Sequence, residues 1–328
     1  MTAAPRYKWQ PTTAEIAHAA GIDPSQVIRF DHNTSPFSPD WAAELAAEAA
    51  ASLNEYPGAS YLPIREAAGD LVGLPPDQIA VGAGVDELLL LAGRAFLGPT
   101  RRSVAITPTY PLYKIATLQA GAELTEIPAE GPELTVPLDS MIDAARSADV
   151  TWVCAPDNPS GTRLPDQAIE SIISAANGVV VLDAAYAEFA GDDWAPWVDR
   201  YPNLLVLHTM SKGFGLGGIR VGYGLGHPDL VDAIDAVRPP GSIAGVSVEI
   251  AIAALREPGR MRRQVAAIVE ERVALTERLR SLGLAPLPSQ TNFVMCRVGP
   301  HAGEVGETLM KTGLVVRMYP GDGSLSHY

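Results

Sequence analysis

The stretch TMSKGFGLGGIR, residues 209–220, sets a single lysine among glycines and closes on an arginine. Two chemistries compete for it. Gly213, Gly215 and Gly218 spell G-x-G-x-x-G, the turn that brings a backbone close to a dinucleotide pyrophosphate. Ser211-Lys212 instead offers a primary amine beside a hydroxyl, and a lysine amine can capture a carbonyl as a Schiff base. The dinucleotide fingerprint needs a helix after its last glycine and an acidic residue about 20 positions further on. Here IRVGYGL, 219–225, alternates as a strand. The glycines therefore read as a loop between two strands, and a nicotinamide dehydrogenase survives only if a helix opens directly after Gly218.

An amine of this kind needs partners. A pyridine ring that acts as an electron sink must be kept protonated by a carboxylate, because only the cationic ring withdraws electrons strongly from a carbanion. Asp183 ends the run VVVLD, where open α/β sheets place ligand contacts. Asn158 in APDNPSG and Tyr186 in DAAYAEF follow two strand ends and carry donors suited to a ring oxygen. A second glycine cluster, VGAGVDELLLLAG at 81–93, lies at a helix start, where the backbone N–H groups of Val85 and Asp86 can face an anion. Each residue also has a plain reading: a turn for 158–161, a core aromatic for Tyr186, a helix cap for Asp183 and for 81–93.

The elements that must hold these groups alternate short β-branched runs with longer helical stretches, the mark of an α/β fold with a mostly parallel central sheet flanked by helices. Strands are expected at 103–107, 151–155, 179–183, 204–209 and 219–225, and helices at 86–96, 111–120, 166–176 and 229–237. Near Pro239-Pro240-Gly241, a hinge candidate, the texture changes. A charged helix over 259–282 follows, then strands at 292–298 and 314–319 around a short helix, which together suggest a smaller α+β lobe. The division reads as an arm at 1–40 with one helix near 13–20, a large domain at 41–238 and a small domain at 239–328.

Composition narrows the partners. The 328-residue chain carries a formal net charge of −14. That balance argues against nucleic acid or an anionic membrane surface as the main partner, so any phosphate site must be local. Cys154 and Cys296 lie far apart without metal-ligand spacing and fit a reducing compartment. The N-terminus lacks a continuous apolar segment, and the longest apolar run, 88–97, is broken by Arg94. The expectation is a soluble cytoplasmic protein without a metal. His208 reads as a packing or polar-network residue, Trp194 and Trp197 as a lid-like loop, and Asp192 and Asp193 as carboxylates without the paired, desolvated setting of an acid catalyst.

Taken in order, EYPGASYLPIREAAG, VGAGVDELL, TPTYPLY, CAPDNPSG, VLDAAYAEF, HTMSKGFGLGGIRVGYG and LVVRMYP resemble the fold type I pyridoxal-phosphate enzymes of the class I/II aminotransferase group, and in detail its histidinol-phosphate aminotransferase family. The resemblance implies pyridoxal 5′-phosphate as cofactor, with Lys212 as the Schiff-base lysine and proton shuttle. Asp183 would pair with the ring nitrogen, Asn158 and Tyr186 would bond the ring oxygen, and Tyr110 would stack on the ring. The phosphate would meet the Val85 and Asp86 backbone, the Ser211 hydroxyl and the Arg220 guanidinium, whose planar fork suits two phosphate oxygens. Tyr56 would reach the phosphate of a neighbouring subunit, which implies a homodimer. Asn33 and Arg317 would contact substrate, and the substrates implied are histidinol phosphate, or a similar amine, and 2-oxoglutarate.

The chain departs from the family pattern at two places. Where the family reads N-E-N-P, this sequence has HNTSP, with Thr34 in place of the acid. The family arginine that grips the substrate carboxylate lies beyond the position of Tyr328; either the parent chain is longer, or cofactor binding survives while turnover suffers. Two alternatives accompany the transaminase: a decarboxylase of a phosphorylated amino acid, similar to threonine-phosphate decarboxylase and built on the same cofactor residues, and a binding or regulatory module descended from such an enzyme. The intact set Lys212, Asp183, Asn158, Tyr186 and Arg220 weighs against the module.

Overall fold

The computed structural model describes residues 10–319 and 323–328. Its strands are β1 (Ile28–Arg29), β2 (Ile79–Gly82), β3 (Arg102–Thr107), β4 (Glu123–Pro128), β5 (Val150–Cys154), β6 (Val179–Asp183), β7 (Leu204–Thr209), β8 (Gly222–Gly226), β9 (Ala285–Pro286), β10 (Cys296–Arg297) and β11 (Leu314–Val315). Seven of them form one sheet in the order β2-β8-β7-β6-β5-β3-β4. β8 runs antiparallel to both its neighbours, and the other pairings are parallel.

Parallel strands covered on both faces must be apolar throughout. VVVLD and LLVLHT meet that demand: β7 is buried along its whole length, and β6 in all but its first residue. Alternate side chains feed two cores. Val180, Leu182, Leu204 and Val206 pack on one side with Ile169 and Ile172 of the helix Asp166–Ala175. Val181, Leu205 and Leu207 pack on the other with Leu88, Leu89 and Leu91 of the helix Gly84–Phe96. The outer strand β4 is exposed at four of its six positions, Glu123 and Glu126 among them, and charges on an edge strand discourage further pairing.

The N-terminal segment is tied to the far end of the chain. The helix Thr13–Ala20 starts at a capping box in which Thr12 and Glu15 satisfy each other's backbone N–H groups. β1 then pairs in parallel with β11, Ile28 opposite Leu314 and Arg29 opposite Val315. β9 and β10 form a separate antiparallel pair.

Several expectations need correction. The run 219–225 is extended only from Gly222: Gly217–Ile219 is a single 3-10 turn, and Arg220 takes a left-handed φ of 52°, which breaks the strand. No α-helix opens after Gly218, so the surroundings a dinucleotide fingerprint requires are missing. The segment 292–298 pairs only at Cys296–Arg297, because the Ser289 and Thr291 hydroxyls bond the Phe293 backbone and compete with a ladder. The segment 314–319 pairs only at Leu314–Val315. Trp194 is no lid: it is buried in the larger core, edge-on to Trp197. Asp192 has a partner after all, in Arg163 at 2.9 Å, and burial raises its pKa.

Candidate active site

The carboxyl ends of β5, β6 and β7 lie along one edge of the sheet and deliver Asn158, Asp183, Tyr186 and Lys212 to it. β2 and β8 complete that edge: Gly222 pairs with Gly82 on one side and with Thr209 on the other, so the start of the Gly84–Phe96 helix meets the lysine turn.

Asp183 is 3% exposed, and both carboxylate oxygens take neutral donors: the Tyr113 hydroxyl at 2.8 Å on Oδ2 and the Ala185 N–H at 3.1 Å on Oδ1. Burial pushes its pKa up to about 6, against the pull of these two bonds. A buried carboxylate without a bonded cation is costly, and a protonated ring nitrogen is the kind of partner that would relieve it.

The Lys212 amine lies 5.9 Å from the ring centre of Tyr186 and donates to the backbone oxygens of His32 and Asn33, at 3.0 and 3.1 Å. Desolvation brings its pKa down to about 8, partly offset by the Asp86 and Asp183 charges. A useful fraction of neutral amine is thereby available near neutral pH. The Tyr186 hydroxyl accepts from Asn33 Nδ2 at 3.2 Å and Asn158 Nδ2 at 3.4 Å, and burial raises its pKa, so it stays a neutral donor.

An anion cradle lies beside the amine. Arg220 reaches Asp86 Oδ2 at 2.9 Å with one guanidinium nitrogen and the Ser211 hydroxyl at 3.4 Å with the other. Asp86 also accepts from the Tyr110 hydroxyl at 2.8 Å. Side chains are excluded from the floor: a Cβ on Gly84, whose φ is +80°, would lie 2.9 Å from Arg220 Nη2. One on Gly222 would lie 2.8 Å from Val85 N. Backbone N–H groups at a helix start, a hydroxyl and a guanidinium form a phosphate-type donor set. The residues present therefore fit pyridoxal phosphate.

Of the residues singled out in the sequence, Val85, Asp86, Tyr110, Asn158, Asp183, Tyr186, Ser211, Lys212 and Arg220 gather here, and Asn33 joins them through both its side chain and its backbone carbonyl. Tyr56 stands apart, 97% exposed. Arg317 lies 6.0 Å from the Tyr319 ring and near His32, whose pKa is lowered by burial, with the Arg29, Lys212 and Arg317 charges adding to the effect against Asp31. Three residues escaped the sequence reading. Tyr113 sits three positions after Tyr110, which lies before the helix Leu112–Gln119, and no local pattern links it to Asp183. Asp157 ties the two loops together, accepting from Ser160 and from Thr109. Asn292, which donates to the Asn33 carbonyl at 2.9 Å, carried no local signal. His208 stacks on Tyr223, and neither of its ring nitrogens has a hydrogen-bond partner.

The sequence model of the family "Aminotransferase class I and II" matches residues 25–321. A histidinol-phosphate aminotransferase of Thermococcus gammatolerans is 36% identical over 300 residues, covering 90% of this chain and 84% of that protein. One from Methanopyrus kandleri is 33% identical over 324 residues, covering 92% and 83%. The crystal structure of histidinol-phosphate aminotransferase from Sinorhizobium meliloti, in complex with pyridoxal 5′-phosphate, superposes with a TM-score of 0.87 at 27% identity, covering 98% of this chain and 89% of that one. Sequence, fold and the lysine-carboxylate pair agree, and the chain belongs to the class I and II aminotransferases, as an enzyme that works through pyridoxal 5′-phosphate.

Proposed function

We propose that this aminotransferase moves the amino group of histidinol phosphate to 2-oxoglutarate. The observation that carries amino transfer is the partly desolvated Lys212 amine held over the same sheet edge as the buried Asp183 carboxylate. The choice of donor rests on the relatives above, which are named for histidinol phosphate. When bound, pyridoxal phosphate supplies the aldehyde that takes up the amine and the cationic ring that stabilises negative charge at the donor α-carbon.

The chain's residues supply the rest. Lys212 holds the cofactor and, once released, moves a proton to and from the substrate carbon. Asp183 keeps the ring nitrogen protonated, with Tyr113 and Ala185 fixing its oxygens. Asn158 and Tyr186 would donate to the ring oxygen, Tyr110 would cover the ring, and the Val85 and Asp86 backbone N–H groups, the Ser211 hydroxyl and the Arg220 guanidinium would hold the phosphate. Asn33 and Arg317 line the substrate side. Tyr56, 97% exposed in its own subunit, is assigned to the neighbouring site of a homodimer. The proposal includes the division 1–40, 41–238 and 239–328 and a cytoplasmic location; no helix among the described residues is long and apolar enough to cross a membrane.

The test mixes the pyridoxal-phosphate-loaded protein with L-histidinol phosphate and 2-oxoglutarate and measures the glutamate formed. Glutamate production that disappears in Lys212→Ala supports the reading. If no glutamate forms with this donor while carbon dioxide is released from O-phospho-L-threonine, the donor assignment gives way to the decarboxylase.

A further inference from the structure

We propose that Asn292 is a positioning residue which, through the backbone carbonyl of Asn33, builds the seat of the Lys212 amine. The inference rests on the reading of Lys212 as the reactive lysine, and it concerns this chain's own groups before any cofactor is bound.

The seat begins with backbone conformation. Asn33 adopts φ of 51°, the left-handed region that asparagine tolerates better than other residues with a side chain. The oxygens of two successive peptides, His32 and Asn33, meet on one point, where the Lys212 amine donates to both. The Asn33 oxygen carries a second donor, Asn292 Nδ2 at 2.9 Å. A carbonyl can only accept, so the Asn292 amide must face it with nitrogen. The lysine amine and the Asn292 amide thus share one oxygen. The other end of the amide, Oδ1, is buried and has no hydrogen-bond partner.

Asn292 can act as a clamp because it is itself fixed. Thr291 before it is fully buried, and its carbonyl accepts from Arg272 Nη1 at 2.7 Å. Phe293 after it has its oxygen bonded by the Ser289 and Thr291 hydroxyls and its ring edge-on to Tyr186 at 5.4 Å. The side chain is held over the site from a turn that cannot easily yield, and it immobilises a strained carbonyl. The open oxygen faces the cost of an unmade bond, which an N–H donor relieves. Its matching ligand chemistry is an amine: that of Lys212 after a small rotation, or that of the amino donor.

The experiment uses the cofactor-free full chain and measures the rate of reductive methylation of Lys212 against pH, by mass spectrometry of its peptide. Only the neutral amine reacts, so the midpoint reports its protonation. Asn292→Asp places a carboxylate beside the amine and is expected to raise the midpoint by about one pH unit, a roughly tenfold slower reaction near pH 7. A parallel measurement covers the case of a variant that folds poorly. Asn292→Ser is too short to reach Asn33, and amide hydrogen exchange in 32–36 is expected to quicken about tenfold, with β6 and β7 unchanged, a loss on the order of one hydrogen bond. An unmoved midpoint in Asn292→Asp, or unmoved exchange in Asn292→Ser, overturns the inference. Neither readout depends on which amine the loaded enzyme uses, so failure of the donor assignment and failure of this inference are told apart.

Discussion

The hydroxyl of Tyr113 stands 2.8 Å from Oδ2 of Asp183, and the Tyr113 ring lies nearly parallel to Trp152 at 5.7 Å. Trp152 in turn donates to Thr117, which is hydrogen-bonded to Ser103. The carboxylate is thus held by a chain of buried groups that solvent does not reach. Burial also raises the Tyr113 pKa well above its ordinary value, so the hydroxyl remains a donor across the working pH range. Tyr113→Phe keeps the ring stack and removes one hydrogen bond to a charged group, worth about 1.5 kcal/mol or more. Pyridoxal-phosphate affinity, read by absorbance titration, is expected to fall about tenfold with little change in unfolding temperature; an unchanged affinity would remove Tyr113 from the cofactor machinery.

Asp183→Asn separates cofactor chemistry from folding. The folded pKa, about 6, stands above the ordinary value of 3.8, so ionised Asp183 destabilises the cofactor-free fold. By linkage that destabilisation is absent below 3.8, grows between 3.8 and 6, and is complete above 6. The variant should be the more stable cofactor-free protein at pH values above about 6, by up to about 3 kcal/mol. It should lose that advantage in acid and bind pyridoxal phosphate poorly throughout. Denaturant midpoints for both proteins across this pH range decide the matter, and a pH-independent difference speaks against a charge effect.

Gly222→Ala tests the cradle floor. The new Cβ would fall 2.8 Å from both Gly84 C and Val85 N, backbone atoms that cannot swing aside. Strain of about 3 kcal/mol or more is expected, with loss of phosphate affinity exceeding the loss of general stability. Inorganic phosphate competition against cofactor binding provides the readout: equal affinity in variant and parent would mean that the phosphate lies elsewhere.

His208→Arg should stabilise the protein. The imidazole Nδ1 is 3.8 Å from Glu188 Oε1, too far to bond, and Glu188 Oε2, Trp194 Nε1 and both His208 nitrogens lack partners. These groups line a cavity of ≈110 Å³ behind the lysine turn. A guanidinium is long enough to enter it and meet both Glu188 oxygens, which should add about 1 kcal/mol. A thermal midpoint raised by about 2 °C is the expected result, and a lowered one would show that the space is already well solvated.

The sheet centre was legible because burial on both faces demands continuous apolar runs, and 179–183 and 204–209 coincide with β6 and β7. β2 went unnoticed because its four residues follow a short 3-10 turn and lead at once into a helix. The site residues carried by strand ends and glycine turns were also readable, since local chemistry constrains them. Tyr113 and Asn292 were not, for a different reason. Tyr113 reaches Asp183 across 70 positions and Asn292 reaches Asn33 across 259, and no local pattern encodes such meetings. Long-range hydrogen bonds of neutral side chains leave little trace in a single sequence.

The parallel pairing of β1 with β11 bears on how the protein comes into being. Residues 28–29 are made early, yet their strand partner at 314–315 is made only after the whole seven-stranded sheet between them. The carbonyls that receive the lysine amine lie just downstream of β1. During synthesis the large sheet can therefore close around Lys212 while the segment that seats its amine is still unanchored by β11. Loading with cofactor at that stage would engage an amine not yet fitted to its seat, because the order of synthesis delays that fitting until β11 has been made.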